Sequence, residues 1–538
     1  MTYPLSKLRS GLGGTACLNT RAGSRDESRV STCRGGNPDL TSPRRLRQDG
    51  RVITNEAAFR DSPIPLPLIG TLPVRALTPP DLYAVFRTSR PSFLLESSPS
   101  PGGGTPAQGR YSFLGGDPYR IVTAREDLVE TWEAGGSSTW RGDPFDYLRG
   151  VWARSAVTRL RGFPPFLGGA VGCMGYGLSR RHRRTGTGLR RSEFPDVCWL
   201  FVDLVVVFDH MEHTLVLAFC PPGERFRAES RTRLLAEGRE RLAALAARIE
   251  TSPSALGHGV PAPLPPISAS PCMSRADYCE MVERAKTYIA AGDIFQANLA
   301  QRFTAAWGEH DAFELYRRLR AINPAPFAAY MDLGNAQVVS SSPERLVRLS
   351  GREADTRPIA GTRPRGRSAV QDASLTMELL LNPKERAEHV MLVDLERNDL
   401  GRVCDYGSVK VDEFMGTERY SHVIHIVSNV RGMLRDGATG FDLLDAVFPG
   451  GTVTGVPKIR CLEIIEELEP TPRGLYTGAI GYCSWSGDMD WNIVIRTLVV
   501  HRNEVSLHAG AGIVADSEPE REYSETLYKA QALFDALR

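Results

Sequence analysis

Val197-Cys-Trp-Leu-Phe-Val-Asp-Leu-Val-Val-Val-Phe208 is the longest apolar run in the chain, 12 residues broken only by Asp203. A helix needs about 20 apolar residues to cross a bilayer, so the run is too short to span one. Its β-branched and aromatic content, with no helical stripe, predicts a buried strand over Trp199–Phe208. Outward from it, from Pro65 to Asp209, short strand-like runs (Ser92–Leu95, Arg110–Leu114, Arg120–Thr123) alternate with Gly/Pro turns. That is the pattern of an antiparallel sheet.

Beyond this run, Glu224–Glu250 predicts one charged helix, with Leu234, Leu235, Leu242 and Leu245 at helical spacing. Residues 251–273 are rich in Pro, Ser and Ala and read as a linker or long loop. Ser274 followed by Asp277 has the form of a capping box. Tyr278, Met281, Ala285 and Ile289 supply the apolar stripe of the helix it opens, and Gly292 ends that helix. Strands are expected over Phe295–Phe303, Ala328–Asp332, Gln337–Ser341, Leu346–Leu349, Ala479–Trp485, Trp491–Val500 and Glu504–Ala509. Two further helices are expected, Pro383–Asp399 and Pro519–Leu537.

The chain has 538 residues, 42% hydrophobic and 24% charged, which excludes disorder along its whole length. A net charge of +2 gives no electrostatic footprint for nucleic acid. Ten scattered Cys without a CxxC pair fit a reducing compartment, and no secretory segment opens the chain. The expected location is cytoplasmic, with no membrane and no nucleic-acid partner. Residues 1–51 carry ten Lys/Arg against four Asp/Glu and no hydrophobic periodicity. They read as a disordered extension. The chain divides on this reading into 1–52, an N-terminal portion 53–258 and a C-terminal portion 259–538.

Two E-x-x-E pairs lie on expected helices, Glu385/Glu388 in PKERAEHVMLVDLERND and Glu522/Glu525 in EREYSETLYKA. Spacing i, i+3 puts each pair on one face, and four carboxylates from two helices suit a hard divalent ion such as Mg²⁺. Solvated helix faces are the alternative. Gly510-Ala511-Gly512 follows a strand but has no βαβ unit around it, so a dinucleotide site is excluded; the amides of such a turn can still hold a carboxylate. Gly451-Thr-Val-Thr-Gly455-Val-Pro-Lys458 is not a phosphate loop, because the second Gly and the Lys are too far apart. Val171-Gly-Cys173-Met-Gly175 lacks the Gly two residues before Cys that a nucleophile elbow needs, so the chain has no glutaminase of its own. His425 sits on an apolar strand. Arg496, between Ile495 and Thr497 in NIVIRTLVV, needs a partner: a substrate carboxylate or an internal Asp or Glu.

Nine segments in order, GDIFQANLAQRF, SSPERL, RPIAGTRPRG, ERAEHVMLVDLERNDLGRV, HIVSNVRG, FPGGTVTGVPKIR, GLYTGAIGY, WNIVIRT and HAGAGIVADSEPEREYSETLYKA, together resemble the chorismate-utilising enzymes. These include anthranilate, aminodeoxychorismate, isochorismate and salicylate synthases. FLLESS, GRYSFLG and FLGGAVG resemble that family's N-terminal portion. The resemblance implies an α+β fold of two large, mainly antiparallel sheets packed as a sandwich with helices outside, both halves of the chain contributing to both sheets. It implies Glu388 and Glu525 as Mg²⁺ ligands with Glu385 and Glu522 beside them. Gly361, Thr362, Tyr476, Arg496, Gly510, Ala511 and Gly512 would contact chorismate, and Thr452 and His425 would line the same pocket. His425 would serve as general acid for the leaving hydroxyl, and Glu344 would transfer protons on the ring.

The resemblance also implies a nucleophile. Water-using members carry a Lys base where this chain has Gln296, and Gln cannot deprotonate water. Ammonia is therefore expected, supplied by a separate glutamine amidotransferase subunit. GDIFQANLAQ, WNIVIRT and YSETLYKA are closer to aminodeoxychorismate synthases, which aminate C4, than to anthranilate synthases, which aminate C2 and release pyruvate. Ala360 points the other way, since many aminodeoxychorismate synthases carry Lys there. The expected reaction is amination to 4-amino-4-deoxychorismate, for 4-aminobenzoate and folate synthesis, with anthranilate formation as the alternative. Leu94–Ser97 resemble the family's tryptophan-holding segment.

Overall fold

The computed structural model describes residues 55–74, 77–89, 91–97, 109–182, 191–251, 266–419 and 423–538; the extension expected over 1–52 lies outside them. The apolar run that was expected to be one strand is two, Val197–Val202 and Leu204–Asp209, and they belong to different sheets. Asp203 is the crossing point. Its carboxylate accepts two 2.8 Å hydrogen bonds from Arg241. The expected strand Trp491–Val500 divides in the same way, into Met489–Ile493 and Thr497–His501 in opposite sheets. Here the break is marked by Arg496, whose φ is +50°. Both runs are continuous in hydrophobicity because strands on either side of the crossing are buried. Only the charged residue marks the point where the chain leaves one layer for the other.

Among the described residues each sheet has 12 strands, and their pairings are antiparallel. Strands from both sides of residue 258 sit in both sheets, and within each sheet the two sets meet at one seam. In one sheet Ser92–Glu96 pairs with Phe327–Asp332; in the other Gly169–Met174 pairs with Ala479–Ser484. Phe93, Phe166, Val171, Val205, Val207 and Ile480 form one buried cluster, with residues from both members of the divided run 197–208. Cys173 is buried in the same cluster, in a strand and not at an elbow.

Helices pack against the sheets. The helix expected over Glu224–Glu250 is interrupted at Glu229–Ser230, giving Gly223–Ala228 and Arg231–Thr251. On the longer one, Leu234, Leu235, Leu242 and Leu245 are all buried in a cluster with Leu68, Leu217 and Phe219. Ser274 and Asp277 form the expected capping box at the start of Arg275–Ala290. Pro383–Gly401 and Pro519–Ala536 form as expected, and a helix not anticipated, Ala369–Leu381, precedes the former. Among the described residues, no helix is long and apolar enough to cross a membrane.

Candidate active site

The site is built on two neighbouring strands, Gln296–Ala306 and Glu504–Ile513. Asn298 faces Gly512, Ala300 faces Gly510 and Arg302 faces His508. Gly510-Ala-Gly512 is therefore extended strand, not the turn that the glycines suggested, and no amide nest forms there. The glycines serve another purpose. A Cβ on Gly512 would stand 2.6 Å from Gln296 Nε2 and 3.6 Å from Glu388 Oε1; one on Gly510 would stand 2.7 Å from Asn298 Oδ1 and 2.9 Å from the Tyr476 hydroxyl. Both leave space on the same face of the sheet. Ala511 alternates to the other face, where it is packed with Tyr278 and Leu462, so its side chain is not in the pocket.

The helix Pro383–Gly401 opens on Asn382, whose side chain accepts hydrogen bonds from the Lys384 and Glu385 amides. This cap aims the first turn at the site. Glu385 Oε2 lies 2.9 Å from where a Cβ of Gly361 would be, and its other oxygen pairs with Arg363 at 3.1 Å. One turn on, Glu388 Oε1 accepts a 3.1 Å hydrogen bond from Gln296 Nε2, leaving Gln296 Oε1 buried without a partner. Burial raises the Glu388 pKa, and Glu385 and Glu525 add like-charge repulsion. Glu522 is likewise raised by burial and by Glu525. Like charge thus links Glu388 to Glu385 and Glu525, and Glu522 to Glu525. They are not closed into a shell, however. Among the described residues, no three His, Cys, Asp or Glu side chains converge at metal-ligand spacing. Glu525 is paired instead with Lys529 at 2.7 Å.

Lys529 was not anticipated. Its ammonium also donates to the Gly510 carbonyl at 3.2 Å, and its charge acts on Glu344, Glu388, His425 and Glu522. The Glu525–Lys529 spacing of i, i+4 was the available signal.

Across the cleft, Ile359–Pro364 pairs with Val423–Met433, with an irregularity between Ala360 and Thr362. Gly361 occupies it at φ +66°, a conformation that glycine adopts without strain. Thr362 Oγ1 lies 2.9 Å and the Gly361 carbonyl 3.3 Å from His425 Nδ1. A carbonyl only accepts, so Nδ1 carries the proton. Burial first, and the Arg496 charge second, push the His425 pKa down to about 3. The imidazole is therefore neutral in the free protein. Glu344 is buried too. Burial pushes its pKa up to about 7, against the pull of Thr452, the Ile359 amide, Lys529 and Arg496. Glu344 Oε1 and Thr452 Oγ1 are both buried. Arg496 acts on both Glu344 and His425, and so joins the two sides. Its left-handed backbone is a strained feature of the kind that functional sites retain.

Two cavities open elsewhere among the described residues. One of about 620 Å³ is lined by Leu95, Glu96 and Ser97, with Tyr111, Phe327 and Tyr482. Leu94 is packed elsewhere, beneath the helices. The Glu96 carboxylate is held by the Tyr316 hydroxyl and Arg320. The other, of about 470 Å³, is bounded by Tyr476 and His508.

A family model described as chorismate binding enzyme matches residues 111–535. The chain belongs to the chorismate-binding enzymes. Anthranilate synthase component 1 of Synechocystis sp. is 43% identical over 488 residues, covering 85% of this chain and 92% of its own length. Aminodeoxychorismate synthase component 1 of Bacillus subtilis is also 43% identical, over 436 residues, 80% of this chain and 89% of its own. The crystal structure of anthranilate synthase component I from Streptococcus pneumoniae superposes with a TM-score of 0.68 at 33% identity, covering 80% of this chain and 92% of that one. The two-sheet sandwich is thus the chorismate-binding fold, and the carboxylates, Arg496 and the glycine-floored strand pair stand within the matched segment of this chorismate-binding enzyme.

Proposed function

We propose that this enzyme aminates chorismate with ammonia to give 4-amino-4-deoxychorismate, the hydroxyl at C4 leaving as water. The observation that carries amination is Gln296. Its amide is tied to Glu388 and its oxygen is left open, so no base stands there to activate water. Glu344 would give the leaving hydroxyl its proton, since a pKa of about 7 keeps an acid available near neutrality. Arg496 and Lys529 would balance the charge of the substrate dianion.

Glu385, Glu388, Glu522 and Glu525 would hold Mg²⁺, to which their all-oxygen, mutually repelling donor set is suited. Bound there, the ion would supply charge neutralisation at a substrate carboxylate. Two relatives named as component 1 support a second subunit, an amidotransferase releasing ammonia from glutamine. The cavity at Leu95–Ser97 would take an amino acid such as tryptophan. A cytoplasmic location goes with this reading.

A second product is favoured by one residue. Ala360, the one buried residue of a partly exposed strand, offers no nucleophile for a covalent route to C4, and amination at C2 with loss of pyruvate would give anthranilate. The purified chain with chorismate, Mg²⁺ and excess ammonium decides between them. A product that keeps the enolpyruvyl group, and that an added lyase converts to 4-aminobenzoate, supports C4 amination. Fluorescent anthranilate with pyruvate overturns it.

A further inference from the structure

The helix Pro383–Gly401 carries a second pair of carboxylates beyond those at its start. Glu396 and Asp399 are again spaced i, i+3, but they lie on the buried side of the helix, 3% and 5% exposed. Lys458, at the end of the stretch that fails as a phosphate loop, reaches the same place. Its ammonium pairs with Asp399 and donates to the Val447 carbonyl at 3.0 Å. A buried carboxylate is costly unless a cation and hydrogen bonds compensate it. Asp399 has its cation in direct contact, whereas Glu396 shares that cation at a distance. Nothing in the chemistry proposed above employs Glu396.

Two short segments of backbone touch both this carboxyl and that of Glu344. At the end of the strand Glu353–Arg357, the Thr356 hydroxyl donates to Glu396 Oε2 at 3.1 Å. Three residues on, the Ile359 amide donates to the Glu344 carboxylate. On the turn Gly451–Val453, a Cβ added to Gly451 would stand 3.4 Å from Glu396 Oε1. The next residue, Thr452, acts on Glu344 through its hydroxyl. The two carboxyls are therefore neighbours behind the pocket, both buried and held by the same two segments.

Their charges act on each other. Burial raises the Glu396 pKa first and the Asp399 charge second; Lys458 and the Thr356 hydroxyl pull it down, and Glu344 pushes it up again. Repulsion is mutual, so the two acids titrate as a pair, and a charge on one strengthens the other's hold on its proton. Arg496 and Lys529 face Glu344 from the pocket side, and Arg402 joins Lys458 in acting on Asp399. The other charges on elements packed around the pair are matched elsewhere. Asp355 pairs with Arg345 and Arg348, Arg357 with Glu413 and Glu418, Arg363 with Glu385, Asp445 with Arg181 and Asp442 with Arg149. His425 is neutral. Behind the pocket, the balance rests with Glu396, Asp399 and Lys458.

We propose that Glu396 is a positioning residue for the site acid: its carboxyl competes with Glu344 for one proton, and the Asp399–Lys458 pair sets how the two share it. The proposal rests on the reading of Glu344 as the acid. Its test is the pH profile of kcat/KM for the full chain with chorismate and Mg²⁺, ammonia held constant as the free base. The readout is the midpoint of the fall near pH 7, not the rate. An ionised Glu396 helps Glu344 keep its proton, so Glu396→Gln is expected to move the midpoint down by about half a pH unit or more. Thr356→Val removes a hydrogen bond from the Glu396 carboxylate. Glu396 then keeps its proton, Glu344 takes the charge, and the midpoint again moves down. Asp399→Asn leaves Lys458 as the counter-charge of Glu396, which ionises, and the midpoint moves up. A purely structural role would lower the rate at every pH and leave all three midpoints at the wild-type value. A midpoint unmoved in Glu396→Gln overturns the pairing, as does one that moves the same way in Glu396→Gln and Asp399→Asn. Asp399→Asn breaks a buried ion pair; where that chain does not fold, an unmoved or raised midpoint in Thr356→Val overturns the pairing. A wild-type profile with no fall near pH 7, or a fall that survives in Glu344→Gln, overturns the acid reading and the pairing with it. A fall that Glu344→Gln removes and Glu396→Gln leaves in place overturns the pairing alone.

Discussion

At the scale of single residues, burial moves Glu344, Glu388, His425 and Glu522 away from their ordinary protonation behaviour. Glu344 and His425 lie under the same two cations, Arg496 and Lys529, and both are buried. Burial disfavours charge whatever its sign, so it raises the carboxylic acid and lowers the imidazole. The result is a carboxyl that keeps its proton to about pH 7 and an imidazole that stays neutral well below it. The sign of the pH dependence follows. If Glu344 is the proposed acid it acts in its protonated form, so kcat/KM should fall as pH rises through about 7, with ammonia held constant as the free base. Glu344→Gln should remove that limb and lower kcat by about 10²–10⁴. A wild-type profile flat from pH 6 to 8 would remove Glu344 from the acid role. The carboxylate cluster gives a separate prediction, read without turnover. Glu388→Gln should weaken Mg²⁺ binding, measured calorimetrically on the free protein, by about tenfold or more.

At the scale of elements, close approach between layers is set by small residues at chosen positions. The helix Arg231–Thr251 lies on the sheet at Gly238, where an added Cβ would meet Phe219 at 2.6 Å and Leu68 at 2.8 Å. Alanine there would gain about 1 kcal/mol of helix propensity. Overpacking costs about 1–3 kcal/mol, and with aromatic and aliphatic carbons both inside 3 Å the steric term should win. Gly238→Ala should therefore lower the denaturant midpoint without changing its slope. Residues of this kind also mark how far the elements were legible. The capping box at Ser274 and the stripe on Arg231–Thr251 are local, and they were readable. The division of 197–208 and of 491–500 was not, because a strand buried on both faces is apolar throughout and carries no phase. Asp203 and Arg496 were visible as charges in apolar runs, but the crossing between sheets belongs to the tertiary structure. The same distinction holds in the site. Paired glutamates at i, i+3 announce themselves, whereas Asn298 and His508 are joined only through a strand register over some 200 residues of sequence.

At the scale of the whole molecule, the chain is two interleaved halves more than two consecutive domains. Each half contributes a contiguous block of strands to each sheet, and the blocks meet at Ser92–Glu96 with Phe327–Asp332 and at Gly169–Met174 with Ala479–Ser484. All six residues of Gly169–Met174 are buried, as are all six of Ala479–Ser484. Cutting the chain between residues 251 and 266 leaves both seams and every described strand intact. Each half alone would expose two long apolar sheet edges, which templates self-association. The N-terminal half expressed alone should therefore be aggregated or lack a cooperative unfolding transition. Co-expressed with the C-terminal half, it should co-purify as a soluble pair with one transition. The cleft carboxylates, Arg496, Glu344 and the strand pair carrying Gln296 and Gly512 all lie in the second half, so the C-terminal half holds the chemistry and the first half supplies the seams that keep its sheets closed. A soluble, cooperatively folded N-terminal half would show that the seams are an interface between independent domains. Loss of activity in a soluble reassembled pair would show that the 251–266 connection itself shapes the site.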